Sequence, residues 1–172
     1  MILTPLITEA QIQAKVAELA AAIQSTYGDE PVLLLGVLKG SCMFLADLSR
    51  RLGHNVTMDF VQVSSYADGK SPSSVVQIRK DLDINIEGKD VLIVEDIVDT
   101  GGTLTHLREL LATRKPKSLR VAALLSKPEA RRLETQIEFV GFEIPNEFVV
   151  GYGLDFAERY RNLPYIAVLR ED

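Results

Sequence analysis

The stretch from Val91 to Arg114 constrains this chain more than any other part of it. The apolar run from Val91 to Val94 predicts a strand that is buried on both faces. Carboxylates follow the strand, then a turn rich in threonine and glycine, then an amphipathic stretch from Leu104 to Arg114. This order indicates a phosphate-binding loop, because glycines let the backbone approach an anion and the first helical N–H groups point at it.

The side chains of this loop indicate a second kind of chemistry. Thr100 and Thr103 supply hydroxyl donors for a phosphate. The carboxylates of Glu95, Asp96 and Asp99 do not bind an anion directly, but they suit ribose hydroxyls, a bound Mg²⁺ or proton transfer. A loop with both features predicts a site for a phosphorylated sugar.

The segment from Glu95 to Thr103 resembles the phosphoribosyl pyrophosphate (PRPP) signature of the type I phosphoribosyltransferases, in the form found in their hypoxanthine-guanine branch. The two other common glycine-rich phosphate patterns, Gly-x-Gly-x-x-Gly and Gly-x-x-x-x-Gly-Lys-Ser/Thr, do not occur. The resemblance implies that Glu95 and Asp96 hold the ribose hydroxyls with Mg²⁺ nearby, and that Asp99 is the catalytic general acid/base. It implies that the 5′-phosphate binds to Asp99, Thr100, Gly101, Gly102 and Thr103.

Residues 148–163 resemble the purine-binding end of the same enzymes. The resemblance implies that Phe148 stacks on a flat base through its π-face and that the backbone of Val149 pairs with the edge of the base. It also implies that Asp155 contacts Mg²⁺ and pyrophosphate, directly or through water. Arg161 would bind pyrophosphate with its planar fork of donors.

Lys127, in Leu125-Ser-Lys-Pro, matches the family's lysine that contacts the 6-oxo group of a purine. Taken alone, it reads as a solvated lysine in a turn. A lysine ammonium group donates hydrogen bonds and accepts none, so it selects an oxo group over an amino group. The match therefore argues against adenine as the preferred base.

Two further segments match the family beside these sites. Lys39 and Gly40 follow the predicted first strand and resemble the pyrophosphate loop, in which the bond before the lysine, here Leu38–Lys39, is often a cis peptide. Ser65 and Tyr66 match the characteristic pair of the family's lid. A lid has a use here because the reaction develops an oxocarbenium-like centre that water could capture.

Composition and charge agree with one globular domain over residues 1–172. The net charge of −5 gives no basic footprint for nucleic acid, and no apolar run approaches the length of a membrane span. The single cysteine, Cys42, cannot form a disulfide within the chain, which favours a reducing compartment. The N-terminus lacks the pattern of a signal peptide, so we expect a cytoplasmic protein.

Helical and apolar segments alternate in the first two-thirds of the chain, which predicts an α/β fold with a mostly parallel central sheet flanked by helices. The resemblance adds a small hood formed from the C-terminal segment. A capping box at Thr8 predicts the start of the first helix. The predicted helices are 8–24, 42–52 and 104–114, and the predicted strands are 32–37, 56–64, 75–78, 91–94, 119–125, 138–144 and 165–169.

The resemblance implies a purine-salvage transferase that moves the 5-phosphoribosyl group of PRPP to hypoxanthine or guanine, giving IMP or GMP and pyrophosphate. It also implies a homo-dimer or homo-tetramer. Two alternatives stay open. One is a related enzyme that acts on xanthine, adenine or a pyrimidine. The other is a PRPP-sensing regulator without catalysis, although the acidic net charge and the retained Asp99, Asp155 and Arg161 argue against it.

Overall fold

The computed structural model describes residues 1–66 and 75–172. Helices and strands alternate along most of this part of the chain, as the sequence predicts. In chain order the elements are β1 (Ile2–Ile7), α1 (Glu9–Tyr27), β2 (Val32–Leu38), α2 (Cys42–Ser49), β3 (Val56–Tyr66), β4 (Val75–Lys80), β5 (Asp90–Val98), α3 (Gly102–Ala112), β6 (Ser118–Ser126), a 3-10 turn (Pro128–Ala130), β7 (Phe139–Glu143), β8 (Val149–Val150) and β9 (Ile166–Arg170).

The main sheet of the described residues has six strands in the order β4-β3-β2-β5-β6-β7. All neighbouring strands are parallel except β4, which returns antiparallel along β3 at the edge. Strands β2 and β5 are adjacent and parallel, so the loops that follow them lie side by side at one edge of the sheet. Ligands of such sheets bind at this carboxyl edge.

Apolar side chains cover both faces of the central strands, which explains why β2 and β5 read as continuous apolar runs. Leu34 and Leu92 point to the face that α1 and α2 cover, where they pack with residues such as Phe44. Leu33 and Ile93 point to the opposite face, in a second core that includes buried residues of α3. The predicted α/β class with a parallel central sheet is confirmed.

A second sheet of three antiparallel strands, in the order β1-β9-β8, forms the hood. The C-terminal segment contributes β8 and β9, as expected, and the N-terminal strand Ile2–Ile7 adds a third strand by pairing along β9. This strand carries no alternating pattern, and Pro5 within it discourages a strand prediction. Pairing with β9, more than 160 residues later in the chain, forms the strand.

Several predicted boundaries shift by a few residues. The capping box at Thr8 is confirmed, since its hydroxyl accepts from the backbone of Gln11 and the Gln11 side chain accepts from the backbone of Thr8. Helix α2 ends at Ser49, three residues before its predicted end. The predicted lid pair, Ser65 and Tyr66, lies at the end of β3, but its side chains and the loop beyond lie outside the described part.

Candidate active site

The phosphate loop joins the carboxyl end of β5 to the first turn of α3. Gly101 precedes the helix with a left-handed backbone (φ 88°), and a Cβ there would collide with the carbonyl oxygen of Leu133. Only glycine adopts this left-handed backbone without strain and also leaves room for the carbonyl oxygen of Leu133. The Thr100 hydroxyl accepts from the backbone N–H of Gly102 at 3.4 Å. The loop borders an open pocket that Glu95, Asp99, Thr100, Gly101 and Thr103 help to line.

Glu95, which is buried and lines this pocket, and Asp96, which is half-buried, form an acidic pair. Burial, together with the neighbouring charge of Asp96, raises the pKa of Glu95 well above its ordinary value. Burial also raises the pKa of Asp96, although the N–H of Ile97 donates to its carboxylate at 2.7 Å and opposes the rise. A hydroxyl donor or a cation would stabilise the charged forms of two carboxyls whose pKa values are raised in this way. These are the partners that the sequence predicts.

The pyrophosphate loop after β2 lies directly against this acidic pair. The peptide bond Leu38–Lys39 is cis, as the resemblance implies. A Cβ on Gly40 would overlap the Asp96 carboxylate, and a Cβ on Gly153 would overlap the carbonyl oxygen of Gly40. The main chains at Gly40 and Gly153 and the carboxylate of Asp96 therefore meet here without room for a further side chain between them.

Arg161 brings the C-terminal segment to the same place. Its guanidinium donates to the Gly153 carbonyl at 2.7 Å and forms ion pairs with Asp155 at 3.3 Å and Glu158 at 3.1 Å. Glu158 also pairs with Lys39 at 2.9 Å, and these two cations lower its pKa. The carboxylate of Glu158 thus bridges the two cationic residues that the resemblance assigns to pyrophosphate, Lys39 and Arg161.

From the sequence alone, Glu158 is interpreted as a surface charge. The available signal was its spacing of three residues from Arg161, which is a common arrangement for an ion pair. Its second partner, Lys39, is 119 residues away in the chain, and no local pattern predicts that contact.

An exposed aromatic pair lies at the predicted purine end. Phe148 is 52% exposed, which is unusual for a large apolar residue, and it contacts Phe156 edge to face with ring centroids 5.9 Å apart. Val149 is buried in β8, where it pairs with Val168 of β9. The sequence analysis did not single out Phe156, although an aromatic residue beside the predicted Asp155 was the signal.

Lys127 lies beside the phosphate loop. Its side chain is buried, and Nζ lies 3.7 Å from Oδ2 of the half-exposed Asp99. Its backbone N–H donates to the carbonyl of Val98 at 3.0 Å, which fixes it beside β5. The expected general acid/base and the expected base-recognition residue are therefore neighbours.

The three predicted metal ligands, which are Glu95, Asp96 and Asp155, do not form one cluster. Within residues 1–66 and 75–172, no three His, Cys, Asp or Glu side chains lie close enough together to hold a metal ion between them. Glu95 and Asp96 lie together, and Asp155 faces Arg161 instead. Mg²⁺ commonly binds one or two carboxylates and completes its shell with water and substrate phosphate, and the acidic pair suits that arrangement.

Comparison with known proteins identifies the family. The model of the phosphoribosyl transferase domain matches residues 7–157. The chain belongs to the phosphoribosyl transferase family. It is 53% identical over 165 residues to the hypoxanthine-guanine phosphoribosyltransferase of Bacillus subtilis, covering 96% of this chain and 92% of that protein. It is 52% identical over 163 residues to the hypoxanthine phosphoribosyltransferase of Escherichia coli, covering 94% and 92%.

A solved structure supports the same family assignment. The crystal structure of a hypoxanthine-guanine phosphoribosyltransferase from Bacillus anthracis matches with a TM-score of 0.95 and 47% identity, over 99% of this chain and all of that one. The expected place in the hypoxanthine-guanine branch, and with it the enzyme class, is confirmed. No helix in the described residues is both long and apolar enough to cross a membrane.

Proposed function

We propose that this enzyme serves purine salvage by transferring the 5-phosphoribosyl group of PRPP to hypoxanthine, guanine or both, which gives IMP or GMP and pyrophosphate. The observation that carries the assignment of roles is the contact between Lys127 and Asp99. It puts a donor for an oxo group beside a carboxylate of the phosphate loop, so that a base and a phosphorylated sugar can meet there.

The phosphate loop would hold the 5′-phosphate. The backbone N–H groups at the start of α3 and the hydroxyls of Thr100 and Thr103 supply the donors. Glu95 and Asp96 would accept hydrogen bonds from the two ribose hydroxyls. Their raised pKa values support this role, because hydroxyl donors stabilise buried carboxylates that otherwise favour the protonated form.

The pyrophosphate of PRPP would lie between the loop at Gly40 and the guanidinium of Arg161. Lys39 adds a second cation at this position, and both cations are now paired with Glu158. Glu95 and Asp96 would hold Mg²⁺ together with the phosphate oxygens, and Asp155 would contact it directly or through water. When bound, Mg²⁺ supplies charge neutralisation for the departing pyrophosphate.

The purine would stack on the exposed ring of Phe148, with its edge along the backbone of Val149 and its 6-oxo group accepting from Lys127. In the transfer, the bond from C1′ of the ribose to pyrophosphate breaks and a bond from C1′ to a purine nitrogen forms. The purine loses a proton, and Asp99 would act near N7 as the general acid/base for it.

The remaining expectations belong to the same proposal. The expected lid residues Ser65 and Tyr66 would cover the site during the reaction. The lone Cys42 and the phosphorylated substrate support a cytoplasmic location. The expected assembly is a homo-dimer or homo-tetramer, without a nucleic-acid partner.

The test is product formation from PRPP and Mg²⁺ with hypoxanthine, guanine, xanthine and adenine supplied separately. We expect turnover with hypoxanthine, guanine or both, and the ratio of the kcat/KM values names the preferred base. Faster turnover with adenine would contradict the role of Lys127. PRPP binding without turnover on any of the four bases would overturn the salvage function and favour a PRPP-sensing regulator.

A further inference from the structure

Residues 127–133, which we call the clamp segment, lie along the phosphate loop and bond to its main chain. The backbone N–H groups of Arg132 and Leu133 both donate to the carbonyl of Thr100, at 2.8 and 3.0 Å. The carbonyl oxygen of Leu133 lies so close to Gly101 that a Cβ would not fit between them. The main chain of the phosphate loop therefore depends on a segment that begins about 25 residues later.

Arg131 is the side chain of the clamp segment that donates to the main chain of this loop, whereas Lys127 contacts the Asp99 side chain. Its Nε donates to the carbonyl of Asp99 at 3.2 Å, and the same guanidinium donates to the carbonyl of Val98 at 3.4 Å. A further bond of 2.8 Å reaches the hydroxyl of Ser126, at the end of the neighbouring strand β6. One planar group thus joins the ends of β5 and β6 at the point where the phosphate loop begins.

We propose that Arg131 is a positioning residue of the transfer reaction, which fixes the main chain at Val98 and Asp99 and thereby the donors that hold the 5′-phosphate. This inference rests on the proposed function, because it assigns the residue to the phosphoribosyl site. It adds a residue that touches neither sugar nor base and acts through the loop.

The geometry explains why an arginine serves this purpose. Three acceptors lie around one guanidinium, and two of them are consecutive carbonyls of the loop. A guanidinium offers five N–H donors in a rigid plane, so one side chain can restrain all three acceptors at once. Within residues 1–66 and 75–172, Arg131 pairs with no carboxylate, and its bonds go to neutral oxygens.

Fixing the carbonyl of Asp99 has two consequences for the site. It limits rotation of the peptide plane between Asp99 and Thr100, two residues that line the phosphate pocket. It also holds the main chain of Asp99, whose carboxylate lies 3.7 Å from Lys127. Small displacements of such groups reduce rate strongly, because transfer requires the reacting atoms to be aligned.

The test compares Arg131→Met, Arg131→Lys and the control Arg132→Met in steady-state kinetics with PRPP and hypoxanthine. Arg132 is adjacent and exposed, and its side chain makes no hydrogen bond or ion pair within the described residues. For Arg131→Met we expect the KM for PRPP to rise and kcat to fall, each by about tenfold, as the loss of two or three hydrogen bonds implies. The KM for hypoxanthine should change by less than about twofold.

Arg131→Lys separates positioning from charge, because lysine keeps the cation but donates from one nitrogen. We expect a PRPP KM between those of the wild type and Arg131→Met, and wild-type kinetics for Arg132→Met. Wild-type kinetics in Arg131→Lys would assign the effect to charge and overturn the positioning role. A lower melting temperature in Arg131→Met with both KM values unchanged would show a purely structural role, and also overturn it.

The wild-type enzyme in the same assay separates this inference from the proposed function. If the wild type makes no nucleotide from PRPP and any base, the proposed function fails and the kinetic comparison has no basis. If the wild type turns over and Arg131→Met keeps its kinetics for both substrates, the proposed function stands and the role of Arg131 fails.

Discussion

The phosphate loop and the C-terminal segment of residues 145–163 both contribute to the site, but they are built in different ways. The phosphate loop is one strand, one turn and one helix within residues 90–112. The C-terminal segment contains only the two-residue strand Val149–Val150 as regular structure. Backbones with positive φ recur along it, at Gly151, Tyr152, Gly153, Ala157, Glu158 and Tyr160.

Long-range contacts hold the C-terminal segment in this irregular shape. The Tyr152 hydroxyl donates to Asp47, which is 105 residues away, at 2.5 Å. Glu158 pairs with Lys39, and the carbonyl oxygen of Gly40 approaches the Gly153 backbone closely because glycine has no side chain. A local motif therefore supplies the strand, turn and helix of the phosphate loop, to which the clamp segment is bonded, whereas contacts with distant parts of the fold hold the C-terminal segment.

The largest effect that we expect outside the reacting carboxylate comes from Gly40→Ala, at the point where the two regions meet. The new Cβ overlaps the Asp96 carboxylate, so either the pyrophosphate loop or the acidic pair must move. We expect kcat/KM for PRPP to fall by about 10²-fold, as displacements of about 1 Å at a reacting centre do. The measurement is initial-rate kinetics with varied PRPP.

The control for this change is Gly53→Ala. A Cβ on Gly53 meets only the side-chain oxygen of Gln24, at 3.6 Å, which is an ordinary contact. We expect its kinetics to match the wild type. Equal kcat/KM values for Gly40→Ala and Gly53→Ala would show that the close approach at Gly40 is not needed.

Tyr152→Phe tests whether long-range contacts hold the C-terminal segment. Asp47 would lose one of the side-chain donors around it, while Gln13 and Arg50 still donate. We expect a loss of stability of about 1–3 kcal/mol, and a higher KM for PRPP because Arg161 lies in the same segment.

Tyr165→Phe is the control, because the Tyr165 hydroxyl makes no hydrogen bond within the described residues. Thermal unfolding and PRPP kinetics of both variants are the measurements. If Tyr152→Phe matches Tyr165→Phe in melting temperature and in KM, the contact with Asp47 does not hold the segment.

The smallest effect concerns stability and pH in the acidic pair. Because burial raises the pKa of Glu95, this carboxyl favours folding below its ordinary pKa of about 4.3, and that contribution is lost as pH rises through the raised pKa. Glu95→Gln removes the ionisation. In the absence of ligands, we expect the melting temperature of this variant to rise by a few degrees relative to that of the wild type between about pH 5 and pH 8.

The control for the pH experiment is the exposed Glu109→Gln, on α3. Its melting temperature should follow the wild type across the same range. A constant difference between Glu95→Gln and the wild type at every pH would contradict a raised pKa in the folded protein.

The contrast between the two regions also explains what the sequence could predict. The apolar runs of β2 and β5, the capping box at Thr8 and the loop at Gly101 follow from local patterns, and the structure has each of them. Strand β1 was not predicted, because only its partner β9 makes it a strand.

Local sequence patterns did not predict the contacts between distant segments within the site. The sequence analysis found Lys127 and Asp99 separately by resemblance, but their contact depends on the packing of β6 beside β5. The contacts of Phe156 with Phe148 and of Arg131 with the phosphate loop depend on packing in the same way. Most of these contacts join residues that are far apart in the sequence, so no fixed spacing between those residues predicts the contact.

The most direct test of the account is the turnover of Asp99→Asn measured beside its affinity for PRPP. In the proposed mechanism, the backbone and threonines of the loop bind most of the 5′-phosphate, and the Asp99 carboxylate transfers the proton. We therefore expect a fall in turnover of about 10²–10⁴-fold, the usual contribution of general acid–base catalysis, with little change in the Kd for PRPP. Unchanged turnover in this variant would remove Asp99 from its proposed role and contradict the account.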